Sequence, residues 1–212
     1  MAQALDDLLD SLEDADDATR EEAAKALAEL ANPATLDALI GACGDEFWSV
    51  RTRAGWGVAK IGGPKAIEAL IVLFNDPIME VRNEAVAAVV SLGAGQLDRL
   101  LAAMKDERWR VREHAAKACG DLHDSGAVDA LIFACRDRDG AVKSAAAEAL
   151  GKIGDPKAIP ALVKLFRDSS KIVRETAGTP RVRPGPRARP KRAGPTAVAL
   201  KTAAFATGTS RL

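Results

Sequence analysis

Aromatic residues, histidines and cysteines are all scarce in this sequence. It has no tyrosine, 4% aromatic residues, two histidines and three cysteines in 212 residues, although 48% of the chain is apolar. A core therefore has to be built from Ala, Leu, Ile and Val. The cysteines form no CxxC pair and lie at apolar positions, so we expect reduced core residues of a cytoplasmic protein. They are Cys43, Cys119 and Cys135.

Long apolar runs are also missing, and no signal peptide is predicted. No apolar run approaches 18 residues, so no membrane-spanning helix is predicted. The start, MAQALDDLLDSLED, is acidic where the first part of a signal peptide would be basic. We find no Ser-His-Asp grouping, glycine-rich phosphate loop or setting for a nucleophilic cysteine. The sequence therefore predicts no catalytic residue, metal site or cofactor.

Acidic residues are absent from the end of the chain. After Gly178 there are eight lysines or arginines and no acid, which leaves 22 basic and 30 acidic residues before it, a net charge of −8. Phosphate binding needs clustered cations, so the long N-terminal part is not predicted to bind nucleic acid. The basic stretch PRVRPGPRARPKRAGP can contact RNA, DNA or an acidic surface nonspecifically.

What the sequence does contain is a repeat of about 31 residues. VRTRAGWGVAKIG at Val50 is followed by similar segments at Val81, Val111 and Val142, a looser copy precedes it at Thr19, and a sixth begins at Val173. The starts are spaced 31, 31, 30, 31 and 31 residues apart. A fixed period of this length indicates a solenoid, in which each repeat packs on its neighbours.

Each repeat is predicted to form two helices. In the first helix apolar residues fall at i, i+3 and i+7, as in Ile67, Leu70 and Phe74, and in the second at i, i+4, i+8 and i+11. No window alternates with period two, so no strand is expected. We therefore predict an all-α, right-handed superhelix over residues 1–177, with five complete helix pairs and a broken sixth.

An aspartate recurs in the turn of every repeat, six residues before a cation. We predict that it caps the second helix and that each cation reaches the aspartate of an adjoining repeat, forming a ladder of charge-assisted hydrogen bonds. A row of arginines could alternatively bind anions, but each is expected to have a carboxylate in register. The pairs are Asp14 and Arg20, Asp45 and Arg51, Asp76 and Arg82, Asp106 and Arg112, Asp137 and Lys143, Asp168 and Arg174.

The unit VRxxAAxALGxIGDPxAIPAL, best seen from Val142 to Leu162, resembles the HEAT-repeat superfamily, in particular the short HEAT-like repeats named after phycobilisome lyases. Proteins of this kind include bilin lyases, deoxyhypusine hydroxylase, DNA glycosylases and noncatalytic scaffolds. Deoxyhypusine hydroxylase activity would imply several His-Glu pairs holding two irons, whereas this chain has one Glu113-His114 step and His123 at a turn. We expect His114 to be a solvated helix residue.

The tryptophans mark a candidate protein-binding face. On a helical projection of the second helices, Trp48 and Trp56 lie opposite the core residues, and Trp109 and Met79 occupy the position of Trp48 in their own repeats. In HEAT-like solenoids this face is concave, and Trp with Arg is typical of interface hot spots. We predict a noncatalytic scaffold that binds a protein or peptide here; the alternative is a lyase-type or accessory subunit acting on a protein-bound chromophore or modified protein. The predicted residues are Trp48, Arg53, Trp56, Met79, Trp109, Arg110 and Lys117.

The sixth repeat breaks off at Thr176-Ala177-Gly178, where the composition changes to Arg, Pro, Gly and Ala. We predict that residues 178–212 form a basic, disordered tail. A frameshift in a GC-rich gene gives the same composition, so a genuine tail and a frameshift product both stay open.

Overall fold

A computed structural model describes residues 2–178, which form twelve α-helices and no strand. The prediction of an all-α solenoid is confirmed. The odd-numbered helices are the first helices of units 1 to 6 and the even-numbered helices are the second. Their bounds are α1 Ala2–Ser11, α2 Asp17–Leu30, α3 Leu36–Ala42, α4 Trp48–Ile61, α5 Pro64–Leu73, α6 Met79–Ser91, α7 Leu97–Ala103, α8 Trp109–Asp121, α9 Val128–Ala134, α10 Gly140–Ile153, α11 Ile159–Leu165 and α12 Lys171–Gly178.

The sequence predicts a tail that begins at residue 178. Gly178 is the last residue of α12, and the rest of the predicted tail, residues 179–212, lies outside the described residues. Between residues 2 and 178 no helix has both the length and the apolar content needed to cross a lipid bilayer.

Capping residues and prolines set where the units begin. The side chains of Asn32, Asp124 and Asp155 each accept the backbone N–H two residues ahead and start a short 3₁₀ turn that leads into the next first helix. Pro33 and Pro156 occupy the first position of their turns, where a missing N–H costs nothing. These turns fold the chain back between units.

The core runs along the whole array. The leucine at the centre of the first helix is buried in units 2 to 6, and Leu39, Leu70, Leu100 and Leu131 are 0% exposed, whereas Leu8 of unit 1 is half-buried. The last unit differs, because no further repeat of the described chain stacks on it. Phe166 there is 49% exposed, whereas Phe74 at the same repeat position is 0% exposed.

The second helices pack closely on one another along the array, while successive first helices touch little. The second helices therefore form the more closely packed layer of the array. Glycine permits two of the close approaches. A Cβ atom at Gly57 would lie 3.1 Å from the Cα atom of Ala28, and one at Gly120 would lie 2.6 Å from the Cα atom of Ala149.

Replacing Gly120 with alanine should destabilise the protein by about 1–3 kcal/mol, because the backbone of Ala149 cannot move aside and α8 must separate from α10. The matched control is Gly41→Ala, since Gly41 is also helical and a Cβ atom there meets nothing within 4 Å. The control should be neutral or stabilising by up to about 1 kcal/mol. Urea midpoints measured by circular dichroism compare the two, and equal shifts would contradict the close packing of α8 on α10.

The predicted ladder forms at four of the junctions between units. At each, a cation of one second helix donates to the turn aspartate of the next unit. That aspartate accepts the backbone N–H two residues ahead, just before the second helix begins. The prediction that it caps the second helix is therefore wrong: α4, α6 and α8 begin without a side-chain cap, and α2 and α10 are capped by Asp16 and Asp139. The cation–aspartate pairs are Arg20 with Asp45 at 2.8 Å, Arg51 with Asp76 at 2.6 Å, Arg112 with Asp137 at 2.7 Å, and Lys143 with Asp168. Burial alone would raise the pKa of Asp45, but the hydrogen bonds from Arg20 and the Phe47 N–H lower it below its ordinary value.

The prediction that a cation–aspartate pair (a rung of the ladder) links every two neighbouring units is wrong at the junction of units 3 and 4. The carboxylate of Asp106 is held by Arg108, with both N–O distances 2.9 Å. Arg82 still donates from Nη1 to two carbonyl oxygens of its own turn, but its buried Nε atom has no partner in the described structure. Arg82 and Asp106 are 24 residues apart, whereas the four formed pairs are 25 apart.

The lost rung coincides with a shorter connection. The segment after α6 reads Gly93-Ala94-Gly95-Gln96 and lacks a counterpart of the capping residue Asp124 or Asp155. α6 also packs less closely on α8 than the other neighbouring second helices of units 1 to 5 pack on each other. The expectation that every arginine has a carboxylate in register therefore fails for Arg82.

The three cysteines are free thiols in the array, as the sequence predicts. Cys119 and Cys135 are buried and Cys43 is half-buried. Burial raises the pKa of Cys43 and Cys119 to about 12 and that of Cys135 to about 11. At neutral pH they are protonated and serve as small apolar side chains.

Candidate functional site

The face formed by the exposed sides of the second helices, here called the second-helix face, carries the three tryptophans. Trp48 and Trp109 begin α4 and α8 and are 48% and 38% exposed, while Trp56 in the middle of α4 is half-buried. Trp56 packs its inner side against the core. Gly55 and Gly57 beside it are buried where α4 meets Leu73 and Ala28. Trp56 therefore has a base fixed by the core, while Trp48 and Trp109 add exposed indole surface.

A cleft of about 350 Å³ opens on this face between α2, α4 and α6. Two hydrogen bonds between its lining residues define its chemistry. The indole Nε1 of Trp56 donates to Glu84 at 2.9 Å, and Nε of Arg53 donates to Glu21 at 3.2 Å. The lining residues are Glu21, Trp48, Ser49, Thr52, Arg53, Trp56, Glu80 and Glu84. Three carboxylates and one guanidinium give the cleft a net negative charge.

The repeat explains how these side chains meet. Glu80 and Glu84 of α6 occupy the positions of Ser49 and Arg53 one unit later, so both point to the same face as α4's cleft residues. Glu21 occupies the position of Thr52 one unit earlier. The sequence-based selection of aromatic and basic residues omitted these acids, although comparing equivalent positions of adjacent units would have found them.

The structure brings three of the seven predicted site residues, Trp48, Arg53 and Trp56, into one cleft. The other four lie elsewhere on the second helices. The guanidinium of Arg110 stacks on Trp109, 4.9 Å from the ring centroid, and Met79 is 56% exposed. Lys117 is bonded to Glu113 at 2.7 Å and lines a separate cleft of about 410 Å³ between α6, α8 and α10.

His114 is buried, and the prediction of a solvated residue is wrong. It is 1% exposed; its Nδ1 lies 2.8 Å from the carbonyl oxygen of Arg110, and its Nε2 has no partner in the described region. Burial lowers the pKa of His114 below its ordinary value, and the nearby charge of Lys117 acts in the same direction. His114 is therefore a neutral side chain of α8 that packs beside Phe74, and the centroids of the two rings are 6.1 Å apart. Across residues 2–178 no three His, Cys, Asp or Glu side chains are grouped as metal ligands.

A larger cleft of about 740 Å³ lies at the ladder side of units 4 and 5 and was not anticipated from the sequence. Leu101, Met104 and the 76% exposed Phe133 contribute its apolar part. Its charged wall includes Arg112 and Asp137, which are already bonded to each other. This cleft therefore offers apolar surface next to a satisfied ion pair.

Comparison with known proteins agrees with the repeat architecture. In the complex of CpcE and CpcF of phycocyanin lyase from Nostoc sp. PCC7120, one chain aligns at a TM-score of 0.54 and 21% identity, covering 69% of this chain and 97% of that one. An engineered protein aligns at a TM-score of 0.46 and 22% identity over 84% of this chain and 95% of its own. Human deoxyhypusine hydroxylase aligns at a TM-score of 0.42 and 19% identity over 82% of each chain.

No curated protein matches the chain. The family profile for HEAT repeats matches residues 5–90 and 97–179, two segments that meet at the short connection between units 3 and 4. With most of its length matched in this way and its helices stacked as repeats, the chain belongs to the HEAT-repeat family.

Proposed function

We propose that this solenoid is a noncatalytic protein-binding module that holds its partner on the second-helix face. The observation that carries the proposal is the cleft between α2, α4 and α6, where Trp48 and Trp56 present exposed indole surface beside charged groups. Tryptophans on a rigid base lose little conformational entropy on binding and are enriched at interface hot spots. The fold supports this function because a solenoid offers an extended, preformed binding surface.

Trp56→Ala should leave the helicity unchanged and weaken partner binding by about 2 kcal/mol or more, roughly 30-fold, because the anchor side chain is lost. Trp48→Ala, which removes a more exposed indole, should have the same direction of effect. The assay captures partners from the native host with the full chain and measures affinity for the recovered protein.

Phe133→Ala is the control for this assay, since it removes an exposed aromatic side chain from the first-helix side. It should bind the partner as well as the unmodified protein does. Full affinity in both tryptophan variants would remove this cleft from the binding site.

The alternative function, a lyase-type or accessory subunit acting on a protein-bound chromophore or modified protein, shares the same first step of protein binding. The similarity to a phycocyanin lyase subunit supports the fold of such a subunit. Absorbance and mass spectrometry of the captured partner, before and after incubation with the solenoid, separate the two. A change in the partner's covalent state would favour the alternative.

A further inference from the structure

We propose that the cleft between α2, α4 and α6 binds an arginine side chain from an extended segment of the partner, with its guanidinium against the two indoles and paired with Glu80 and Glu84. This inference rests on the proposed function and names the chemistry of the partner. It is carried by three features of the cleft: its unbalanced charge, its indole faces and its size.

The charge of the cleft is not balanced by its own residues. Glu21 is paired with Arg53, so the excess negative charge belongs to Glu80 and Glu84 of α6. Glu84 accepts the Trp56 N–H through Oε2. Within residues 2–178, neither Glu80 nor Oε1 of Glu84 takes part in a side-chain hydrogen bond or ion pair with another residue. A cation bound here would therefore gain carboxylate partners without displacing an internal one.

The indoles favour the same ligand. An indole ring carries negative charge on its faces, which attracts a cation placed above it. The hydrogen bond from Trp56 to Glu84 uses the ring edge and leaves the faces for contact. A planar guanidinium stacks on an indole and pairs with a carboxylate in the plane of its N–H groups. Arg110 already stacks on Trp109 in this way within the same chain.

The size of the cleft fits one side chain, and its position excludes the first basic residues after Gly178 as occupants. The cleft of about 350 Å³ suits a single side chain. Gly178 ends α12, three second helices beyond α6, and helices packed about 8–10 Å apart place this end roughly 25–30 Å from the cleft. Arg181 and Arg183 follow too soon to span that distance at about 3.3 Å per residue, and Arg187 would need a fully extended chain. Arg189, Lys191 and Arg192 are far enough along the chain to reach the cleft, and a tail variant tests them.

The test uses the ¹⁵N-labelled full chain and the three indole N–H signals, assigned with single Trp→Phe variants. The probes are N-acetylarginine amide and its neutral counterpart N-acetylcitrulline amide. Arginine should shift the Trp48 and Trp56 signals saturably and leave Trp109 in place, while citrulline at the same concentration should shift none. Glu80→Gln with Glu84→Gln should weaken arginine binding at least tenfold, because glutamine keeps an acceptor for Trp56 but removes the charge. Equal shifts with citrulline, or an unchanged affinity in the double variant, would overturn the proposal.

A full-length variant with Arg187, Arg189, Lys191 and Arg192 changed to glutamine tests the chain's own tail. Unchanged indole signals and unchanged arginine affinity support a partner segment. Shifted signals and tighter arginine binding would assign the cleft to the tail and overturn the proposal. The proposed function stands or falls separately: if the tryptophan variants lose the partner but arginine does not bind, only the arginine assignment is wrong.

Discussion

Leu131→Ala should lower the free energy of unfolding by about 2–5 kcal/mol, because it leaves a cavity in the middle of the array. Leu131 is 0% exposed and lies at the centre of α9, between units 4 and 6. In a repeat protein each unit is stabilised by its neighbours, so a cavity in unit 5 also weakens the packing on either side. Urea unfolding followed by circular dichroism gives the midpoint, and hydrogen exchange should show faster exchange in α8 to α10 than in α2.

Phe133→Ala supplies the matched control, since Phe133 lies in the same helix, loses more carbon atoms and is 76% exposed. Its effect should stay within about 0.5 kcal/mol, as for most surface substitutions. Equal urea midpoints for the two variants would show that the helical register derived from the repeat is wrong.

The fold could be predicted because its determinants lie within single repeats. The spacing of Leu131 from Val128 and Cys135 defines the buried side of one helix, and the Asp155-Pro156 step defines where the next begins. Both signals depend only on neighbours along the chain. Repetition then implies stacking, since one helix pair cannot bury its apolar side alone.

The features that could not be predicted depend on the distance between adjacent units. His114 occupies the repeat position of the exposed Arg53, and periodicity alone assigns it to solvent; it is buried at the junction where α6 and α8 pack less closely. The rung expected between Arg82 and Asp106 fails at the same junction. A one-residue difference in a connecting segment is visible in the sequence, but its effect on packing depends on the geometry of the whole unit.

The cleft between α2, α4 and α6 also combines features that could and could not be predicted from the sequence. The exposure of Trp48 follows from its position on α4, and the helical projection placed it correctly on the side away from the core. The contact between Trp56 and Glu84 joins two units, 28 residues apart. The offset of α4 against α6 determines which outward side chains meet. The acidic residues of the cleft could therefore be identified only from the structure.

The ladder itself should be among the strongest contributors to stability. Arg51→Ala is expected to cost about 3–5 kcal/mol, because it leaves the carboxylate of Asp76 buried without its counter-charge. The two side chains are only 10% and 5% exposed, and Nε and Nη2 of Arg51 donate to the two carboxylate oxygens at 2.6 and 2.9 Å. Nη1 also donates to the carbonyl oxygens of Asp45 and Glu46.

Arg82→Ala is the control that separates the contribution of the carboxylate pair from that of the carbonyl contacts. Arg82 makes the same two kinds of carbonyl contact as Arg51, at 2.7 and 3.0 Å, but pairs with no aspartate among residues 2–178. Its loss should therefore cost only about 1–2 kcal/mol. Adding Asp76→Asn to Arg51→Ala should recover part of the larger loss, because asparagine removes the buried charge and still accepts the Ile78 N–H. Urea midpoints of the four proteins, with the unmodified chain as reference, measure these differences. Equal losses for Arg51→Ala and Arg82→Ala, with no recovery from Asp76→Asn, would mean that the aspartate rungs do not contribute to the stability of the array.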